Sequence, residues 1–273
     1  MYQEYWQLDC KPFEPTGDAR FLFPSPGHQS ALHKLRYAIE SRRPAALLAG
    51  AAGVGKSLLW QTLVGQLGNS VGRCAQLLFP LMSPREMLAY LAEHLGAAVP
   101  NDNRSVDGCL SGLQEVLTET QQRGELSIII VNEAHLLEDA GLLEPLRLLM
   151  NLRGGDQPLF TLLLVGQVSA LSMMQRCNYL DERLELQVLL KPFTGEETAG
   201  YIEHRLVAAG ATRPLFTPQA LEMAHQLTGG IPRRINRLCD LALLVGFAGK
   251  ESCIDAPQLR AVNGELITLS AAA

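Results

Sequence analysis

The chain has 273 residues, 47% of them hydrophobic and 19% charged, with a net charge of −5. That acidity argues against a broadly basic nucleic-acid surface. No apolar run reaches the roughly 18 residues of a membrane helix, and Met1–Trp6 lacks the basic-then-apolar layout of a secretion signal. Cys10, Cys74, Cys109, Cys177, Cys239 and Cys253 are scattered without metal-ligand spacing and read as reduced thiols of a cytoplasmic protein.

Residues 1–43 carry Tyr5, Trp6, Phe13, Phe21 and Phe23 among prolines. Pro12 and Pro15 rule out a long helix there. An extended arm pinned by its aromatics is predicted, serving either packing or the holding of an adenine base. His28–Glu40 reads as a helix with Leu32, Leu35 and Ile39 on one face.

The apolar run Pro44–Ala49 then enters Gly50-Ala51-Ala52-Gly53-Val54-Gly55-Lys56-Ser57, and Leu58, Leu59, Leu63, Val64 and Leu67 continue at helical spacing. Strand, loop and helix together make the P-loop pattern. Its glycines let successive backbone N–H groups converge on one anion, and the positive end of the following helix adds to that field. Gly50, Ala51, Ala52, Gly53, Val54, Gly55, Lys56, Ser57 and Leu58 are therefore the candidates for binding a nucleotide. Lys56 would reach the β- and γ-phosphates, and the Ser57 hydroxyl would ligate Mg2+. The competing reading is a small-residue turn before a core helix, yet one of only five lysines stands where the pattern requires it.

Arg73–Leu81 reads as a strand. Ser83-Pro84-Arg85-Glu86 forms a capping-box start for a helix to about Leu95. A polar loop at 100–105 leads to an amphipathic stretch with Leu110, Leu113, Val116 and Leu117. Ser127–Val131 has the continuous β-branched character of a buried parallel strand. It ends in Asn132-Glu133, where a P-loop enzyme needs an acid to hold Mg2+ through water and a carboxylate to activate the attacking water. Glu133 is the candidate general base, against the alternative of a solvated acid at a strand end. Asn132 replaces the expected Asp; its carbonyl can accept from a metal-bound water but brings no charge, so slow hydrolysis is expected.

Leu142–Leu152 reads as a helix, Leu159–Val165 as a strand ending in Gly166-Gln167, and Leu184–Leu190 as a strand before Lys191-Pro192. Alternation of strands and helices over 44–193 indicates an α/β domain with a parallel sheet. Four further helices start near Thr194, Thr217, Ile231 and Ala256. These 194–267 residues are too few for a second catalytic domain and suit a lid, with 268–273 as a tail.

Taken together, these residues resemble the AAA+ ATPases of the general secretion pathway protein A (ExeA-like) type. The resemblance rests on the arm ending at Arg20-Phe21-Leu22-Phe23, the P-loop, Asn132-Glu133-Ala134-His135-Leu136, Glu144–Leu152, Leu164-Val165-Gly166-Gln167, Tyr201–Leu206 and Gly230-Ile231-Pro232-Arg233. It implies a P-loop NTPase fold, a three-layer αβα sandwich with a small all-helical lid. It also implies that the nucleotide is ATP, that Gln167 senses the γ-phosphate, that Arg183 is an arginine finger acting on a neighbour's nucleotide, and that Arg233 is the sensor of the lid. A surface ion pair is the alternative for Arg183. A trans-acting arginine implies self-association as a ring or filament. The secretion proteins continue past the lid into a membrane helix and a peptidoglycan-binding domain, so a membrane or secretion role is expected to need a protein partner. The resemblance thus implies an ATPase that couples nucleotide to a partner. The alternatives are a DNA-binding ATPase of the transposition or origin-recognition kind and a nucleotide-gated scaffold with little hydrolysis.

Overall fold

The computed structural model describes residues 2–14, 18–98 and 105–271. They form two compact units: Gln29–Ala52 with Trp60–Leu190, and Met1–His28 with Gly53–Leu59 and Lys191–Ala273.

The first of these is built on a sheet. Its strands in chain order are β1 (Ala45–Gly50), β2 (Val71–Leu77), β3 (Leu126–Val131), the two-residue hairpin strands β4 (Arg153–Gly154) and β5 (Gln157–Pro158), β6 (Thr161–Gly166) and β7 (Leu184–Leu190). Five pair in the order β2-β3-β6-β1-β7, every neighbour parallel. β1, β3 and β6 are buried along their whole length, which explains their unbroken apolar runs: both faces must be covered. One face, with Leu47, Ile129, Val131 and Leu162, joins a core with Leu91, Leu113, Leu117 and Leu146. Those residues come from α4 (Pro84–His94), α5 (Val106–Gln122) and α6 (Leu143–Leu149). Ala46, Leu48, Ile128, Ile130 and Leu163 alternate with them on the other face and are at most 1% exposed. Leu35, Ile39 and Leu63, from α2 (Pro26–Glu40) and α3 (Lys56–Leu67), are buried as well. Each such side chain contributes about 2 kcal/mol. The result is the expected α/β sandwich with a parallel sheet and flanking helices.

Several boundaries differ from the sequence expectation. The capping box at Ser83 and Glu86 forms, but β2 ends at Leu77 rather than Leu81. Pro80 has no N–H for a ladder, and Leu78 and Phe79 are 64% and 59% exposed. α2 begins at Pro26, ahead of His28. The short helices α7 (Ser169–Arg176) and α8 (Asn178–Asp181) have no clear signal in the sequence. The loop expected at 100–105 lies outside the described residues up to 104.

The second unit is mostly helical: α1 (Tyr2–Trp6), α9 (Gly195–Ala208), α10 (Pro218–Thr228), α11 (Pro232–Ala248) and α12 (Ala256–Ala271). Thr194 makes a capping box with Glu197, and Thr217 caps α10 ahead of Pro218. The aromatics of the arm pack into this unit rather than standing free. Trp6 is 1% exposed and its indole N–H donates to the Leu243 carbonyl at 2.9 Å. Phe13 meets Phe216 edge-on. Arg205, 3% exposed, donates to the carbonyls of Pro12 and Glu14 at 2.5 and 2.7 Å and lies over the Phe21 ring. A buried guanidinium is tolerable only with partners of this kind, and burial holds its pKa below the usual arginine value. The arm is not extended throughout, because Tyr2–Trp6 is helical.

Candidate functional site

The predicted site residues fall into two sets, one in each unit. In the helical unit lies the second half of the Gly-rich loop. Gly53 and Gly55 have φ of +83° and +101°, a region open to glycine and strained for residues with a Cβ. Space is closed there too: a Cβ on Gly53 would stand 2.7 Å from Arg233 Cβ, and one on Gly55 would stand 3.1 Å from His28 Nε2. Val54 between them is fully buried. The loop then runs directly into α3 at Lys56, so Lys56, Ser57 and Leu58 occupy its first turn, at the positive end of the helix dipole. Ser57 is exposed.

Arg233 comes to this loop through its main chain. Its N–H donates to the Gly53 carbonyl at 3.2 Å. Gly229 and Gly230, at φ +61° and +69°, turn the chain so that Pro232 and Arg233 open α11. Gly230 is also packed against Phe193, where a Cβ would sit 2.0 Å from the Phe193 carbonyl oxygen.

A residue with no role in the sequence reading joins this set. His28 is 6% exposed, with Nε2 3.1 Å from the Val54 carbonyl and Nδ1 2.8 Å from Ser25 Oγ. A carbonyl only accepts, so Nε2 carries the proton and Nδ1 accepts from the serine hydroxyl. Burial pushes the imidazole pKa down, partly offset by the Val54 carbonyl and the charge of Glu197. Ser25 also accepts from the His28 N–H at 3.3 Å. Ser25-Pro26 thus opens α2 as Ser83-Pro84 and Thr217-Pro218 open α4 and α10, and that shared pattern is the available signal.

The other set stands on the sheet. Because β1, β3, β6 and β7 are parallel, Gly50, Asn132 and Gln167 all stand at strand ends on one edge. The Asn132 N–H donates to the Leu77 carbonyl at 2.9 Å, extending the ladder by one residue. Glu133 follows with φ +50° and ψ +40°, a left-handed conformation that costs a residue with a Cβ about 1–2 kcal/mol. Its side chain is 54% exposed. Between Glu133 and Gln167 stands His135: Nδ1 is 3.5 Å from Glu133 Oε2, and Nε2 is 3.1 Å from the Gln167 amide nitrogen. A Cβ on Gly166 would come within 3.2 Å of the His135 backbone nitrogen, so the two strand ends approach closely.

Arg183 is not brought to this edge. Leu184 pairs with Ala45 whereas Leu190 pairs with Gly50. Arg183 therefore lies at the opposite edge of the sheet, a strand length of roughly 20 Å from the end of β1. There it donates to Asn151 Oδ1 at 2.7 Å.

The donor set fits nucleotide phosphates with an accompanying Mg2+ only in part. The positive-φ glycines and the α3 N-terminus have the form that a phosphate group would need. Among the described residues no three His, Cys, Asp or Glu side chains cluster as a metal site, so a divalent ion would depend on phosphate oxygens beside the Ser57 hydroxyl. Asn132 adds no charge, and its Nδ2 is buried without a hydrogen-bond partner; that amide has capacity left for a polar ligand.

The sequence model of the AAA domain matches residues 39–174. The general secretion pathway protein A of Aeromonas hydrophila is 33% identical over 252 residues, which are 91% of this chain and 45% of that protein. The chain thus spans about half the length of the curated relative it matches. Among solved structures, the Aeropyrum pernix ORC2 protein in ADPNP–ADP complexes superposes with a TM-score of 0.70 at 17% identity, over 94% of this chain and 72% of that one. Drosophila ORC bound to DNA gives 0.70 at 14% identity, over 97% and 66%. The Thermotoga maritima RuvB Holliday junction branch migration motor gives 0.60 at 18%, over 92% and 72%. At these identities the structures speak for the fold alone.

Proposed function

The chain belongs to the AAA domain family, and from that premise we propose that it is an ATPase that binds ATP with Mg2+ on the Gly50–Ser57 loop, self-associates with nucleotide, and passes its change of state to a protein partner. The observation that carries this reading is the loop itself, with left-handed Gly53 and Gly55 leading into a helix that opens on Lys56 and Ser57.

Glu133 takes the proton from a water attacking the γ-phosphorus, while the Gln167 amide orients that water. Lys56 and the N–H groups of the loop hold the phosphate oxygens, and the Arg233 guanidinium responds to the γ-phosphate. Mg2+, held by Ser57 and through water by Asn132, would neutralise phosphate charge. Arg183 stands a strand length from the end of β1 in its own chain, which supports a role toward the nucleotide of a neighbouring copy in a ring or filament. Cytoplasmic action with a secretion or envelope component as partner is the reading favoured by the 33% identity to a general secretion pathway protein.

Two measurements test this. Particle mass in solution should rise when ATP and Mg2+ are added, and steady-state turnover should be detectable; unchanged mass and no turnover would refute the proposal. Asn132→Asp should raise turnover at saturating Mg2+–ATP by roughly tenfold, since a carboxylate restores the missing Coulomb attraction. An unaltered rate would mean that the amide already serves as well as an acid.

A further inference from the structure

Two consecutive peptide units of the Gly-rich loop are gripped by their carbonyls. The Gly53 carbonyl accepts from the Arg233 N–H at 3.2 Å, and the next, that of Val54, meets His28 Nε2 at 3.1 Å. All peptide bonds among the described residues are trans, so in each planar unit the N–H points opposite to the C=O. Holding the Gly53 carbonyl therefore sets the direction of the Val54 N–H, and holding the Val54 carbonyl sets that of the Gly55 N–H. In a nest, successive N–H groups bind an anion only if each peptide plane is turned the right way. Glycine at 55, free to rotate, would leave that plane loose without an external hold.

His28 is itself fixed from three sides. Ser25 Oγ lies at 2.8 Å from Nδ1 and the Phe193 ring is 5.2 Å from its own, while Gly55 lies against Nε2, where an added Cβ would stand 3.1 Å away. We propose that His28 is a positioning residue for phosphate binding: its Nε2–H locks the Val54–Gly55 peptide so that the Gly55 N–H is presented to the nucleotide's phosphates. The inference rests on the ATP-binding reading above.

Side-chain reach makes it testable. A glutamine amide nitrogen can take the place of the imidazole Nε2, whereas asparagine stops near the position of Nδ1 and falls short of the Val54 carbonyl. Equilibrium titration with Mg2+–ATP, and competition by inorganic pyrophosphate as a probe of the phosphates alone, should find His28→Asn about tenfold weaker for both ligands. His28→Gln should return to within about threefold of the wild type. Thermal midpoints without nucleotide identify the variants that are folded. His28→Leu, closer in volume to the imidazole, replaces His28→Asn if the latter does not fold, with the same tenfold loss expected. Wild-type affinity in His28→Asn or His28→Leu overturns the inference, as does a loss in His28→Gln as large as that in His28→Asn. A wild type that binds neither ATP nor pyrophosphate would instead sink the ATP reading itself.

Discussion

Glu133→Gln is expected to lower ATP turnover by about 10²–10⁴-fold, the range for removing a general base, while ATP affinity stays within about threefold. The substitution keeps the shape and reach of the side chain, and removes its negative charge and with it the capacity to take a proton. The surroundings of Glu133 suit a base, since it follows the end of β3, is half exposed to water, and faces His135 at 3.5 Å. Turnover by steady-state phosphate release and affinity by titration separate the two effects. Undiminished turnover would remove Glu133 from the mechanism and leave a solvated acid at a strand end.

Lys56→Ala should have the largest effect on binding. A charge-assisted bond from an ammonium to phosphate contributes about 1.5–3 kcal/mol, so ATP should bind roughly 10–100-fold more weakly. Loss should be greater for ATP than for AMP, which lacks the β- and γ-phosphates that the lysine is proposed to hold. Lys56 begins α3, where alanine is a better helix former than lysine, so a general loss of fold is not expected. Equal affinity of wild type and variant for ATP would show that the loop is not the phosphate site.

Parts of the molecule governed by local chemistry are legible in the amino-acid order. The run Ile128–Val131 signals a strand covered on both faces, and it is buried throughout. Ser83 with Glu86 and Thr194 with Glu197 signal helix starts, and both boxes close. What escapes depends on tertiary partners. Nothing near His28 in the chain points to Val54, 26 residues away. The five-residue α1 is too short to be stable alone; it forms where Trp6 buries its ring and satisfies its N–H on Leu243. β2 stops at the buried Leu77, ahead of Pro80, and Leu78 and Phe79 are exposed although they carry the strand's apolar pattern onward. His135 stands in plain view in Asn132-Glu133-Ala134-His135, yet its place between Glu133 and Gln167 depends on β3 and β6 lying side by side.

The left-handed backbone at Glu133 bears on how this protein should be engineered. Any procedure that ranks residues by folding free energy alone will prefer glycine at 133, where φ is +50°, because glycine carries no penalty in that region. The resulting chain would tolerate heat slightly better and, on the mechanism proposed above, would have no base. Consensus or stability-guided redesign should therefore hold position 133 constant, together with the close glycine contact at Gly166 that accompanies it. The local instability here is a property to preserve.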